Sequence, residues 1–115
     1  MKLPQYERAS VPREKITNYR LSPAHRDGRS KAAFFIRFGF STSDWEVFAA
    51  SLNRHAIAHE VISIEESLFG KRYVIEGIMP APDGRAPVIR SVWFIANGED
   101  VPHFATAYPL KWRNR

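Results

Sequence analysis

The chain has 115 residues, 44% apolar and 25% charged, with a net charge of +5. That size and balance support one hydrophobic core, so 1–115 reads as a single folded domain rather than a disordered or stapled one. The absence of cysteine excludes disulfides, thiol nucleophiles and cysteine-bound zinc. No run of roughly eighteen apolar residues offers a membrane span, and a soluble cytoplasmic protein without a membrane partner is the expectation.

Residues 1 to 11 read as extended, with Pro4 as punctuation, and Pro12 suits the first position of a short helix to about Tyr19. Leu21-Ser22-Pro23 ends that helix. A loop through Gly28 leads into a second helix, which stops at Gly39. On this helix Lys31, Phe34, Phe35 and Phe38 fall at i, i+3, i+4 and i+7, so an ammonium stands at the end of the stripe that buries three phenylalanines. Either the lysine stem covers apolar surface with its charge in water, or the charge points into a cleft that needs it. The surroundings favour an anion. His25, Arg26 and Arg29 flank Gly28, and the first turn of a helix offers unpaired N–H groups at the positive end of its dipole.

Ser43-Asp44-Trp45-Glu46 has the spacing of a capping box and opens a helix carrying Trp45, Phe48, Ala49 and Leu52 on one side, to about His55 or Ala58. From Glu60 the period changes to that of strands. Val61, Ile62 and Ile64 begin the first, Ser67 to Gly70 turns, and Lys71 to Met79 forms the second. Pro80 to Gly84 is a turn, and the third strand runs from about Pro87 to Ala96 with apolar residues on both faces: Val88, Val92 and Phe94 one way, Ile89, Trp93 and Ile95 the other. Asn97 to Asp100 turns again before a last strand from Phe104 to Tyr108. This order predicts an α+β domain, with N-terminal helices packed on one face of a four-stranded antiparallel meander.

Charge is unevenly spread. Residues 1 to 40 hold nine Lys/Arg against three acids, residues 41 to 110 hold five against nine, and the basic tail at about 110–115 adds Lys111, Arg113 and Arg115. If the two basic ends meet, they form a cationic surface suited to phosphates. Charge alone serves solubility equally well.

Motifs for nucleotide binding and serine hydrolysis are missing, and the four histidines form no metal signature, so no metal or cofactor is expected. His55 and His59, at i and i+4, read as a helix-end pair beside the dipole. What remains fits phosphate chemistry without a cofactor: a base for a ribose 2′-OH, an acid for the leaving oxygen, and cations for the phosphate. Candidate catalytic residues are His25 and Lys31 from the helix side, with Arg90, Thr106 and Tyr108 from the sheet. Arg26, Gly28, Arg29 and Trp93 are the candidate substrate contacts. Taken singly, each has an ordinary structural explanation.

Leu21-Ser22-Pro23-Ala24-His25, then Gly28-Arg29-Ser30-Lys31-Ala32 and Phe34-Phe35, resemble the L-N-P-x-H-x-x-G-x-x-K-A-x-F-F segment of a family of small uncharacterised bacterial domains. Phe69-Gly70, then Tyr73, Val74, Glu76 and Gly77, Val92-Trp93, and Thr106-Ala107-Tyr108-Pro109 resemble its later landmarks in the same order. Ser22 stands where asparagine is usual, and Arg26 replaces a frequent proline. The element order is similar to that of the barnase, EndoU and RelE class of ribonucleases, in which N-terminal helices present a His or Lys to a four-stranded sheet. That class includes toxins of toxin–antitoxin and contact-inhibition systems. The resemblance therefore implies a toxin-like, metal-independent endoribonuclease, with RNA and a cognate antitoxin as partners. Because folds host many functions, a non-catalytic module that binds RNA or a protein through a basic surface stands beside it as the alternative.

Overall fold

A computed structural model describes residues 1–15, 34–41 and 43–110. Strands β1 (Val61–Ser67), β2 (Gly70–Ile78), β3 (Val88–Ala96) and β4 (His103–Pro109) form one antiparallel sheet in the order β1-β2-β3-β4. The long helix Trp45–Ala58 packs on it, preceded by helical residues 34–37 and the short helix Arg13–Lys15. The architecture is the α+β meander expected from the sequence. Among the described residues no helix is long and apolar enough to cross a membrane.

The phenylalanine cluster shows how the helical part is locked. Gly39, with φ of 105°, takes the left-handed conformation that a side chain would resist. Its N–H donates to Ile36 O at 2.9 Å, and the Phe40 N–H reaches Phe35 O at 3.2 Å, the paired bonds of a Schellman stop. The turn folds Phe40 back so that the Phe35, Phe40 and Phe48 rings form a triangle with centroids 4.7 to 6.2 Å apart. All three are buried, and each contributes about 1.5–3 kcal/mol by leaving water.

The long helix begins differently from the expected capping box. Asp44, not Ser43, is its N-cap, and the Asp44 side chain makes no capping hydrogen bond. This register puts Glu46 at the second helical position rather than the third, out of reach of the reciprocal bond. Ser41 Oγ instead accepts the Asp44 N–H at 3.3 Å.

Strand alternation divides the sheet into two faces. Ile75, Ile89, Trp93, Phe104 and Ala107 join Phe48, Leu52 and Ala56 of the long helix in the core, and Arg90 and Val92 of β3 point the other way. Phe104 and Ala107 differ in parity, yet both are in the core. A register shift lets this happen: Val92 pairs with Thr106 while Trp93 pairs with Phe104, leaving Ala105 as the extra residue of a bulge. The bulge turns Phe104 inward and keeps Thr106 and Tyr108 on the Arg90 face.

Candidate functional site

Three adjacent strands place one residue each in a row across the face opposite the long helix. Glu76 of β2 pairs with Arg90 of β3, and Arg90 pairs with Tyr108 of β4. Arg90 Nε donates to Glu76 Oε2 at 2.6 Å, Arg90 Nη2 donates to the same oxygen, and Arg90 Nη1 reaches the Tyr108 hydroxyl at 3.2 Å. The guanidinium also lies 5.7 Å from the Tyr108 ring centroid. The Tyr108 hydroxyl foremost, and the Glu76 carboxylate with it, raise the Arg90 pKa above its usual value, so its charge is permanent. Thr106 follows Tyr108 at the next same-face position of β4, opposite Val92.

Three of the five guanidinium N–H donors are thus engaged, and two have no partner among the described residues. Glu76 cancels the formal charge of Arg90, so what the row offers is oriented donors rather than net charge. The Arg90 side chain is 35% exposed and that of Glu76 26%. They are sheltered enough to hold their geometry and open enough to meet a ligand.

The other face of β3 is closed. Trp93 is fully buried against Phe104, with ring centroids 5.6 Å apart, so the substrate contact expected of it has no exposed surface to act through. Its Nε1–H donates to Ser91 Oγ at 2.9 Å, and Ser91 Oγ lies 3.0 Å from His55 Nδ1. His55 Nε2 is 3.1 Å from Gly77 O. A carbonyl only accepts, so His55 carries its proton on Nε2, and Ser91 donates to Nδ1 while accepting from Trp93. Every polar atom of this chain of bonds is used. Burial lowers the His55 pKa to about 4, which keeps the ring neutral. His59 Nε2 bonds Ile78 O at 2.8 Å, and its ring lies where a side chain at Gly77 would stand. The two histidines therefore clamp the long helix to β2 by hydrogen bonds to its carbonyls.

Of the expected site residues the structure brings together Arg90, Thr106 and Tyr108, and it separates Trp93 from them. His25, Arg26, Gly28, Arg29 and Lys31 lie outside the described residues. Glu76 enters the sequence reading only as a family landmark. Its pairing with Arg90 depends on the β2–β3 register across the Pro80–Gly84 turn, which residue types do not specify. A concavity of about 340 Å³ lies at the other end of the sheet, lined by Tyr73, Ile95 and Asp100 among others. We place the candidate site on the Arg90 row, where chemistry converges, rather than on that hollow.

A family model described as Domain of unknown function (DUF6883) matches residues 2–111. No curated protein matches the sequence significantly. Among solved structures, a chain of a contact-dependent growth inhibition toxin–immunity protein complex from Klebsiella pneumoniae 342 shares the fold. It superposes with a TM-score of 0.71 at 16% identity, covering 93% of this chain and 97% of that one.

Proposed function

We propose, from the premise that this chain belongs to the family described as Domain of unknown function (DUF6883), that it is a toxin-like, metal-independent endoribonuclease with the Arg90 row as the sheet side of its active site. The observation that carries this reading is the convergence of Arg90 and Tyr108 in cross-strand register beside Thr106, with two guanidinium donors that have no partner among the described residues. A fold shared with a chain of a toxin–immunity complex supports the toxin-like part and a cognate immunity or antitoxin protein as partner.

In the proposed reaction His25 takes the proton of a ribose 2′-OH, and the 2′-oxygen attacks the adjacent phosphorus. The 5′-oxygen leaves taking a proton from solvent water, giving a 2′,3′-cyclic phosphate and a 5′-hydroxyl, and protonated His25 returns its proton to solvent. Arg90 donates to the phosphate oxygens as negative charge gathers on them, and Lys31 adds a second cation. Tyr108 fixes the guanidinium plane from one side and Glu76 from the other. Thr106 offers a hydroxyl to the same phosphate, and Arg26, Gly28 and Arg29 hold the strand on either side.

The test is incubation of the purified protein with total RNA in EDTA. The expected products are discrete fragments ending in 2′,3′-cyclic phosphate, strongly reduced in His25→Ala and Lys31→Met. RNA retained without cleavage moves the protein to the non-catalytic module. Neither cleavage nor binding removes RNA altogether.

A further inference from the structure

At the far end of the sheet from Arg90, the β1–β2 turn exposes Leu68 (88%) and Phe69 (76%). Arg90 and Ala96 both lie on β3, and six residues of strand span roughly 20 Å, so this end is independent of the proposed active site. Its turn is not loose. Asn97 Nδ2 donates to Leu68 O at 2.6 Å and Asn97 N to Phe69 O at 3.0 Å, while Ser67 Oγ accepts the Phe69 N–H and donates to Gly70 O, both at 3.2 Å. Two bare apolar side chains are thus carried on a braced knuckle, an arrangement that folding alone does not reward.

Next to the knuckle, sharing Asn97 with it, lies the hollow of about 340 Å³. Tyr73 and Ile95 contribute apolar surface to it, and Gln5, Lys71, Asn97, Glu99 and Asp100 make the lining as a whole slightly more polar than apolar. Lys71 is 3.9 Å from Glu66, Glu99 is 3.8 Å from His103, and Asp100 has no ion pair among the described residues. Ile64, 44% exposed and paired with Tyr73, extends the apolar strip along β1. One end of the molecule therefore carries an apolar projection and, beside it, a hollow of mixed lining whose border has charges of both signs.

We infer that this end is a self-association surface, on which a second copy of the chain seats its Leu68–Phe69 knuckle in the hollow and receives the other knuckle in return. A two-fold contact requires both halves of the complementarity on one patch, and projection and hollow are side by side here. Lys71 of one copy and Asp100 or Glu99 of the other give the border opposite signs to pair across the axis. The Arg90 rows stay on the outer ends of such a dimer, so the inference stands or falls independently of the proposed ribonuclease.

Sedimentation velocity across a concentration series tests it. The wild-type mass is expected to rise from one chain toward two. Phe69→Ser and Leu68→Ser, both at exposed positions and checked for an unchanged melting temperature, weaken association at least about tenfold, as loss of an interface anchor does. In amide spectra, concentration-dependent shifts are expected at 68–71 and 95–100 and not at Arg90 or Tyr108. A monomer at every concentration, a dimer indifferent to Phe69→Ser, or shifts confined to other residues would each overturn the proposal. The first outcome would leave the knuckle to a different protein.

Discussion

β3 carries two polar constellations a few residues apart, one on each face, and they obey different rules. Facing the long helix, Trp93, Ser91, His55 and Gly77 O form a neutral chain in which each donor has one acceptor. Facing away, Glu76, Arg90 and Tyr108 form a charged row in which two guanidinium donors have no partner among the described residues. The first is sealed, and an unmet bond there would cost the full desolvation of its group. The second is half-exposed, so water or a ligand can complete it. A sealed network holds a fold together, whereas a half-exposed one keeps a side open to its surroundings.

The widest gap between the two faces should appear on truncation. Trp93→Ala removes a fully buried ring and leaves the Ser91 and Phe104 contacts empty, so about 3–5 kcal/mol of stability is expected to go. Urea titration would measure it. Equal losses from Trp93→Ala and Arg90→Ala would abolish the distinction drawn between the faces.

Acid should act on the sealed face next. Unfolded, His55 titrates near 6.5, and folded it titrates at about 4. Above pH 6.5 neither state is protonated and stability is flat. As pH falls from there to about 4, the unfolded chain takes up a proton that the folded one refuses, so stability falls by about 1.4 kcal/mol per unit, to a total of about 3 kcal/mol. Glu60 and Asp83 act in a lower window. A hydrogen bond from the N-terminal ammonium lowers the first and one from Arg85 the second, so their stabilisation is lost as pH drops below the ordinary carboxylate range. Denaturant melts from pH 8 to 4 should show the His55 slope, and His55→Gln should flatten it. An unchanged slope in that variant would assign the loss to other groups.

Ser91→Ala probes the same chain with a smaller change. It removes the acceptor of the Trp93 N–H and the donor to His55 Nδ1, leaving both buried groups unmet, at a cost of about 1–3 kcal/mol. Ser91→Thr, which keeps the hydroxyl, should lose less if its methyl is accommodated. If Ser91→Ala costs nothing, the bonds are incidental to packing.

The sequence foretells the elements well because their signals are local. The i, i+1, i+4 spacing of Phe34, Phe35 and Phe38, the Gly39 stop and the Asn97–Gly98 turn each need only neighbours in the chain. The missed features depend on register. Ser43 and Glu46 have capping-box spacing, but a helix starting one residue later disables the box. Alternation alone would put Phe104 on the face of Thr106 and Tyr108, and the bulge at Ala105 overrides it. Both faces of β3 read as apolar, and only the packing of the long helix decides that Trp93 is core while Arg90 lies on the opposite face. Arg90, Thr106 and Tyr108 could be named as candidates from residue chemistry, whereas Glu76 required the β2–β3 pairing.

The smallest effect on stability should accompany the largest on activity, at Arg90. Arg90→Lys keeps a cation beside Glu76 but replaces the planar fork by a point charge, which cannot bond Glu76 through two nitrogens, touch Tyr108 and still present oriented donors. Cross-strand and half-exposed pairs of this kind are worth roughly 0.2–1 kcal/mol, so the melting temperature should barely move. RNA cleavage should fall at least about tenfold, the factor that goes with about 1.4 kcal/mol of lost transition-state interaction. Tyr108→Phe releases one guanidinium donor and leaves the Glu76 contact in place, so its loss of cleavage should be smaller than that of Arg90→Lys. If both variants cleave RNA as the wild type does while remaining folded, the row is a structural ladder and not part of a site.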